Sequence, residues 1–388
     1  MKYLHLIWAA LRRRKARTIL TFLSIVTAFF LFGALQTINA GIGSVMDFLN
    51  TSRLRVSSRV TLGQPLPYAH VARIAALPVT DAVTPIAFIA GTYQRPNNVQ
   101  AVLGVDLTAM FKMYPEMHLP PGELASALRT RSAVVVGKVL ADKYGWKIGD
   151  RIPIHAIGGI TRADGSSDWV FDVAGIYDMD PHEYAANIMG QYDYINEARA
   201  SGNGKDQVVQ ILVKIKDPSH SAQAAQLIDD TFANSPNQTQ TMNEKDFITT
   251  ILAQIGDISL VVNGVVAAVL LALLFLTANV MAQSVRERIP ELAVLKTVGF
   301  SDGRVQWLVL IEALILSIAA AVVGLGLAAL VIPVVIAAAQ LQGVPALHVP
   351  PIVWGAGVLA AIVLALVSGV FPAQRARRLH VAEALSGR

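Results

Sequence analysis

The sequence predicts an α-helical membrane protein: four transmembrane helices, with an α+β extracytoplasmic domain between the first and the second. Three observations carry this. The 388 residues are 54% hydrophobic and 15% charged, with a mean hydropathy of +0.50, whereas soluble domains carry about a quarter charged residues. Four stretches are almost free of charge, each longer than the roughly 20 apolar residues that cross a hydrocarbon core. One long segment of ordinary soluble composition, residues 45–257, separates the first two.

The membrane segments are 18–44, 258–285, 305–340 and 351–373, with helices expected over 19–40, 259–283, 306–338 and 351–371. Buried core helices of such length would need a charged face, which these lack. The first could be read as a secretory leader. A leader's apolar core spans only about 7–15 residues, however, and this uncharged run continues well beyond, so an uncleaved anchor is expected.

Basic residues set the orientation. The pieces 1–17, 286–304 and 374–388 hold 14 of the 32 lysines and arginines against four carboxylates, and are expected in the cytoplasm. Residues 45–257 carry the other 18 against 22 carboxylates, and the loop 341–350 carries none; both are expected outside. The pI near 9.4 is therefore a topology signal, and no nucleic-acid partner is expected. Within 1–17, Tyr3, Leu4, Ile7, Trp8 and Leu11 share a helical face. Such a helix lies in the membrane interface with Trp8 at headgroup depth and Arg12, Arg13, Arg14, Lys15 and Arg17 near anionic lipid. The same cations also serve as a plain topology signal.

In the external segment, strands are expected at 56–62, 83–90, 99–105, 133–137, 151–156, 169–176, 191–195 and 208–215. Helices are expected at 68–77, at 139–144 before Gly145, and at 219–234. Residues 45–113 and 205–250 read as one part. Residues 114–204, flanked by Pro120-Pro121-Gly122 and Ser201-Gly202-Asn203-Gly204, read as an inserted β-rich part.

Most catalytic chemistry is excluded. Cysteine is absent, which removes disulfides, thiolate metal sites and thiol nucleophiles. Gly137-Lys138 and Gly204-Lys205 lack the upstream glycine and following Ser/Thr of a phosphate-binding loop. His182-Glu183 opens like a zincin helix, yet position 186 is Ala, so two histidines cannot share a face. Asp178, Asp180 and Glu183 could hold calcium or form a solvated turn, the second being the plainer reading. No catalytic, cofactor or metal residue is expected.

Two features point elsewhere. Glu312 lies inside the third membrane helix, where a carboxylate must face protein or find a cation. Ala320, Gly324 and Ala328 form a small-residue row on the same helix, with Gly326 beside it and Gly355, Gly357 and Ala361 on the fourth, spacing that admits close helix packing. Between the second and third membrane helices, Pro290 suits a helix start and Gly299 a helix end. This leaves a short amphipathic helix with Leu292 and Leu295 on one side and charges on the other.

That loop carries a resemblance. Arg286-Glu287-Arg288-Ile289-Pro290-Glu291-Leu292-Ala293-Val294-Leu295-Lys296-Thr297-Val298-Gly299, followed by Ile311-Glu312-Ala313, resembles the corresponding segment of MacB/FtsX-type (type VII) ABC transporter permeases. The entry Arg14-Lys15-Ala16-Arg17-Thr18 and the end Phe371-Pro372-Ala373 to Glu383-Ala384-Leu385 are similar to theirs. Val102-Leu103-Gly104-Val105-Asp106 and Leu140 to Asp150 resemble their periplasmic core domain, which implies that 45–113 with 205–250 is porter-like and 114–204 sabre-like. Pro290 stands where a polar residue is usual, and Val381 where proline is.

The resemblance implies a permease subunit of the bacterial inner membrane that is not itself an enzyme, with ATP and magnesium held by a separate cytoplasmic ABC ATPase. Glu287, Arg288, Glu291, Leu292, Leu295, Lys296 and Gly299 would meet that ATPase. A second permease chain, identical or different, is implied, and a periplasmic adaptor and outer-membrane channel are possible further partners. Export, efflux, lipoprotein or lipid handling would be the task. The alternative is a membrane sensor or a regulator of a periplasmic cell-wall enzyme.

Overall fold

The computed structural model describes residues 15–49, 52–61, 63–255, 258–287, 289–339 and 348–377. The expected interfacial helix with Trp8, Arg12, Arg13 and Arg14, most of the loop 341–350 and the tail from 378 lie outside them; Lys15 and Arg17 stand in the first turn of a helix. The chain divides into two compact units. One comprises residues 1–44, 256–336 and 347–388, the other residues 45–255 and 337–346.

The first unit holds four helices long and apolar enough to cross a membrane: α1 (Lys15–Phe48), α9 (Ile258–Glu287), α11 (Asp302–Ala339) and α12 (Pro351–Arg377). The helices α2–α8 belong to the second unit. Each of the four runs past the range expected from sequence, because backbone hydrogen bonding continues into flanking polar residues. Ile25, Phe29 and Phe32 of α1 pack with Ala320, Ala321 and Leu325 of α11 and with Ala361 and Leu364 of α12. At the ends adjoining the α+β unit, α1 and α9 share polar contacts. Gln36 Nε2 donates to Asn263 Oδ1 at 3.3 Å, and Ser259 Oγ to Asn39 Oδ1 at 2.8 Å.

The second unit is α+β. In chain order it runs β1 (Arg53–Ser58), β2 (Leu66–Pro67), α2 (Ala69–Ala75), β3 (Thr80–Thr92), β4 (Val99–Val105), α3 (Leu107–Met113), β5 (Met117–His118), α4 (Pro121–Arg129) and β6 (Ala133–Gly137). There follow α5 (Lys138–Tyr144), β7 (Arg151–Ala156), β8 (Asp168–Met179), β9 (Ile188–Gln191), α6 (Tyr192–Ala198), β10 (Gln207–Val208), β11 (Gln210–Ile215), α7 (Ser221–Phe232), β12 (Thr239–Asn243) and α8 (Glu244–Ile255). One hydrogen-bonded path links β12-β1-β11-β3-β4-β9-β6-β8-β5, with β7 joining β3 and β8. The long strand β3 carries the path onward: Thr80–Ile86 pairs with β11, and Ala87–Thr92 with β4. The strands of 114–204 thus continue the sheet of the flanking segments.

Residue pattern explains the layers. The unbroken apolar run of β6 is buried on both faces, Val134 and Val136 in one core and Val135 in another. Leu54, Val56, Ile211 and Val213 form a third core with Ile74 of α2 and Ile228 and Phe232 of α7. Along β8, β7 pairs with Asp168–Asp172 and β5 only with Asp178–Met179. In the interval the Ile176 N–H donates to Glu123 Oε2 at 2.9 Å. Gly175 leaves room for it, since a Cβ there would stand 3.0 Å from Glu123 Cβ and Oε2.

Two expectations need correction. Residues 191–195 are not a strand: β9 ends at Gln191 and α6 begins, because Tyr192 and Ile195, three apart, are buried together at helical period. The first strand covers Arg53–Ser58 rather than 56–62, its charged beginning having hidden it. Arg53 is buried and Arg55 half-buried. Arg53 Nε contacts Glu244 Oε2 at 2.8 Å and Nη1 contacts Glu116 Oε1 at 2.5 Å. Arg55 Nη2 lies 3.4 Å from Glu244 Oε1, and the Tyr114 hydroxyl donates to the same carboxylate. The Arg53 guanidinium also lies over the Tyr114 ring, 4.2 Å from its centre.

Two outcomes follow. Arg53→Met leaves the Glu244 carboxylate, 1% exposed, short of its nearest cation and should cost about 3–5 kcal/mol in chemical unfolding of the full chain; Arg53→Met/Glu244→Gln should recover much of it. His70 is buried, stacked on Phe232 at 4.1 Å between ring centres, with Nε2 donating to the Asn237 carbonyl at 3.1 Å. Burial, helped by the Arg73 charge, lowers its pKa below the ordinary 6.5 despite that hydrogen bond. The unfolded chain therefore takes up the proton first. Stability from this group is complete above pH 6.5 and falls as pH drops from there through the lowered pKa. Unfolding midpoints across pH 4.5–7.5 should show this loss, and His70→Gln should flatten it.

Candidate functional site

The short helix expected between the second and third membrane helices is α10 (Ile289–Thr297). Its end is built by local chemistry. The Phe300 N–H donates to the Leu295 carbonyl and the Gly299 N–H to the Lys296 carbonyl, both at 3.1 Å. With Gly299 at φ +99° this is a Schellman turn, which needs a residue free of a Cβ at that place. Phe300 and Leu295 pack into one apolar cluster, the hydrophobic contact that accompanies such turns. The Ser301 carbonyl then accepts from Arg304 and Val305, starting α11 at once.

Ala293 is fully buried, and Leu295 packs against Met281, Val285, Val305, Val309 and Leu310. The outward positions are Glu291, Val294 and Thr297, with Val298 just past the helix end, the valines 50% and 73% exposed. Leu295 thus faces inward and Glu291 outward as expected, while the two valines are exposed. Lys296 turns in: its side chain is 7% exposed, and its ammonium meets Asp302 Oδ1 at 2.8 Å. A four-carbon stem lets the lysine bury its methylenes while its charge reaches a carboxylate.

Among the other expected site residues, Glu287 closes α9 rather than lying in the short helix, half-buried, and accepts from Gln283 Nε2 at 3.1 Å. Arg288 lies outside the described residues, as does the side chain of Leu292. Glu312 is buried within α11, while Arg304 is exposed.

The small-residue row faces α1. A Cβ on Gly324 would stand 2.6 Å from the Val26 carbonyl oxygen and 2.9 Å from Phe30 N. Ala320 and Ala328 are fully buried, and a Cβ on Gly33 would lie 3.0 Å from the Ala328 Cβ. Gly357 faces Leu325, with 2.7 Å for an added Cβ, whereas nothing lies within 4 Å of such an atom on Gly326 or Gly355.

In the α+β unit, Asp178 is engaged by His182 Nδ1 at 2.5 Å and Lys138 Nζ at 3.4 Å, and Asp180 is exposed. Among the described residues no three His, Asp or Glu side chains gather to hold a metal. Sequence reasoning missed Val294 and Val298 as surface and Arg53 and Glu244 as a buried pair. The only available signal for the valines was their spacing from Glu291, three and seven residues.

Comparison with known proteins bears on both units. Residues 18–231 match the MacB-like periplasmic core domain, and residues 263–381 the FtsX-like permease C-terminal family. An uncharacterized ABC transporter permease, YknZ of Bacillus subtilis (strain 168), is 28% identical over 249 residues, 60% of this chain and 54% of that protein. The chain spans about half the length of this curated relative. Among solved structures, the periplasmic region of MacB from Actinobacillus actinomycetemcomitans is 15% identical with a TM-score of 0.39, covering 53% of this chain and 94% of that one. The extracellular domain of the noncanonic ABC-type transporter YknZ from Gram-positive bacteria is 12% identical with a TM-score of 0.35, covering 49% and 100%. At such scores the family assignment rests on the sequence matches.

The glycines sort into a sharp test. Gly324→Ala forces α1 and α11 apart and should destabilise the helical unit by about 1–3 kcal/mol, read as an earlier midpoint in denaturing-detergent titration. Gly326→Ala, two residues away and facing open space, should leave the midpoint unchanged.

Proposed function

Because this chain belongs to the MacB/FtsX-type ABC transporter permeases, we propose that it passes motion from a separate cytoplasmic ATPase to its α+β domain on the far side of the inner membrane. The supporting observation is the outward side of α10 and its last turn, where Val294 and, just past the helix end, Val298 stand exposed beside Glu291 between two membrane-spanning helices. Isolated valines on a surface need no explanation. Two on one side, one turn apart, beside a carboxylate and outside the apolar spans, fit a groove with an apolar floor and a basic rim.

In this reading residues 1–17, 286–304 and 374–388 face the cytoplasm, as their cations favour. Lys15, Arg17 and the preceding arginines lie near anionic lipid. ATP and magnesium belong to the ATPase, and this chain supplies no catalytic group. A second permease chain completes the membrane part. ATP-driven closure of the ATPases shifts α10, and the helices carry that shift outward, whatever the cargo: exported molecule, lipid or lipoprotein, with or without an adaptor and outer channel.

The test begins with co-purification of the native chain and its ATPase. Val294→Asp/Val298→Asp should abolish it, since burying each valine contributes about 1.5–2 kcal/mol, together roughly a hundredfold in affinity or more. A cysteine at Val298, in a chain that has none, should react with a membrane-impermeant maleimide only from the cytoplasmic side. Labelling from outside, or retained co-purification of the double variant, would defeat the proposal.

A further inference from the structure

We propose that Lys296 is a positioning residue, whose ion pair with Asp302 across the Gly299 turn fixes α10 to α11 as one elbow, so that a push on α10 is delivered along α11. The inference rests on the coupling role proposed above and says which membrane helix receives the motion.

Four observations carry it. The link between α10 and α11 is only residues 298–301, and its backbone is committed. Val298, Gly299 and Phe300 donate to Val294, Lys296 and Leu295, and Ser301 accepts the first two bonds of α11. Phe300, inside the link, packs with Leu295 before it and Val305 after it, so the turn has an apolar pivot on both arms. Lys296 on α10 and Asp302 on α11 span the turn at 2.8 Å, the lysine side chain 7% exposed and the aspartate 61%. With its ammonium largely withdrawn from water, this charge-assisted bond holds its geometry better than a fully exposed surface pair would.

The second arm suits the role. From Asp302, α11 runs as one helix to Ala339, and at 1.5 Å per residue Gly324 lies about 33 Å along it. There its backbone touches that of α1 at Val26 and Phe30. Displacement of α10 therefore reaches the α1 contact through a single helix, without crossing a loose joint.

Because the chain has no cysteine, two nitroxides can be placed at Thr297→Cys and Val322→Cys in the full chain in lipid nanodiscs. Electron–electron double resonance should give one narrow distance distribution, kept by Lys296→Arg. Asp302→Ala, which alters the exposed partner and spares the core, and Lys296→Met should both populate a second orientation. The minor population should rise by roughly tenfold, the factor equivalent to about 1.4 kcal/mol. Narrow distributions in both variants would overturn the elbow, whether or not an ATPase binds. If the elbow is confirmed and the parent chain binds no ATPase, the coupling role fails alone. Where it does bind, Asp302→Ala should retain the ATPase yet lose the distance change that ATP produces between labels on α11 and α1; an unchanged response would also overturn the inference.

Discussion

One close approach sets how near two helices of the helical unit can come, where α11 presents Gly324 to the backbone of α1 at Val26 and Phe30. Lipid offers little hydrophobic reward for bringing two apolar helices together, so association comes from van der Waals contact and a few polar bonds. A side chain at position 324 would hold the helices off by its own size. With glycine there, Phe29, Phe32, Ala320, Ala321 and Leu325 close around the contact. The same α11 begins at Asp302, directly after the Schellman turn of α10. One rod thus adjoins the candidate site at one end and carries this close contact near its middle.

The α+β unit is organised by a different economy. Arg53 lies five residues after α1 ends and Glu244 opens α8, which ends three residues before α9 begins. Their ion pair, joined by Tyr114 and Glu116 between α3 and β5, brings together the chain leaving one membrane helix, the chain approaching the next, and the start of the 114–204 segment. Burial, with the Glu244 charge adding to it, raises the Tyr114 pKa, so the phenol stays a hydrogen-bond donor. A buried ion pair is a poor source of net stability, but it does fix which groups must meet.

Much of this was legible in the sequence. Charge-free length marked the four spans, because the bilayer imposes it. Unbroken or alternating apolar patterns marked β4, β6 and β7 to the residue, and Gly145 marked the end of α5 through its left-handed φ of 70°. The failures share a cause: residue type stood in for environment. Nothing local marked Arg53 and Arg55 as paired, because their partner Glu244 is 191 and 189 positions away. Lys296 read as partner-facing because its own partner lies around a turn whose shape the sequence does not display. The exposure of Val294 and Val298 had no mark in the residue type, since surface valines look like any others. Tyr192 and Ile195 read as strand formers until their shared burial revealed a helical period.

The place where β8 is covered by Glu123 has a consequence for how this chain behaves among its own copies. A gap along a strand is a template for a foreign strand, the route by which sheets add to one another and fibres grow. Here a carboxylate occupies one of the vacant bonding positions, and a charged guest is a poor invitation to an incoming peptide backbone. Glycine at 175 makes the plug possible. A bulkier residue there would unseat the plug and leave the flank of β8 sticky, and the first sign would be self-association rather than lost folding.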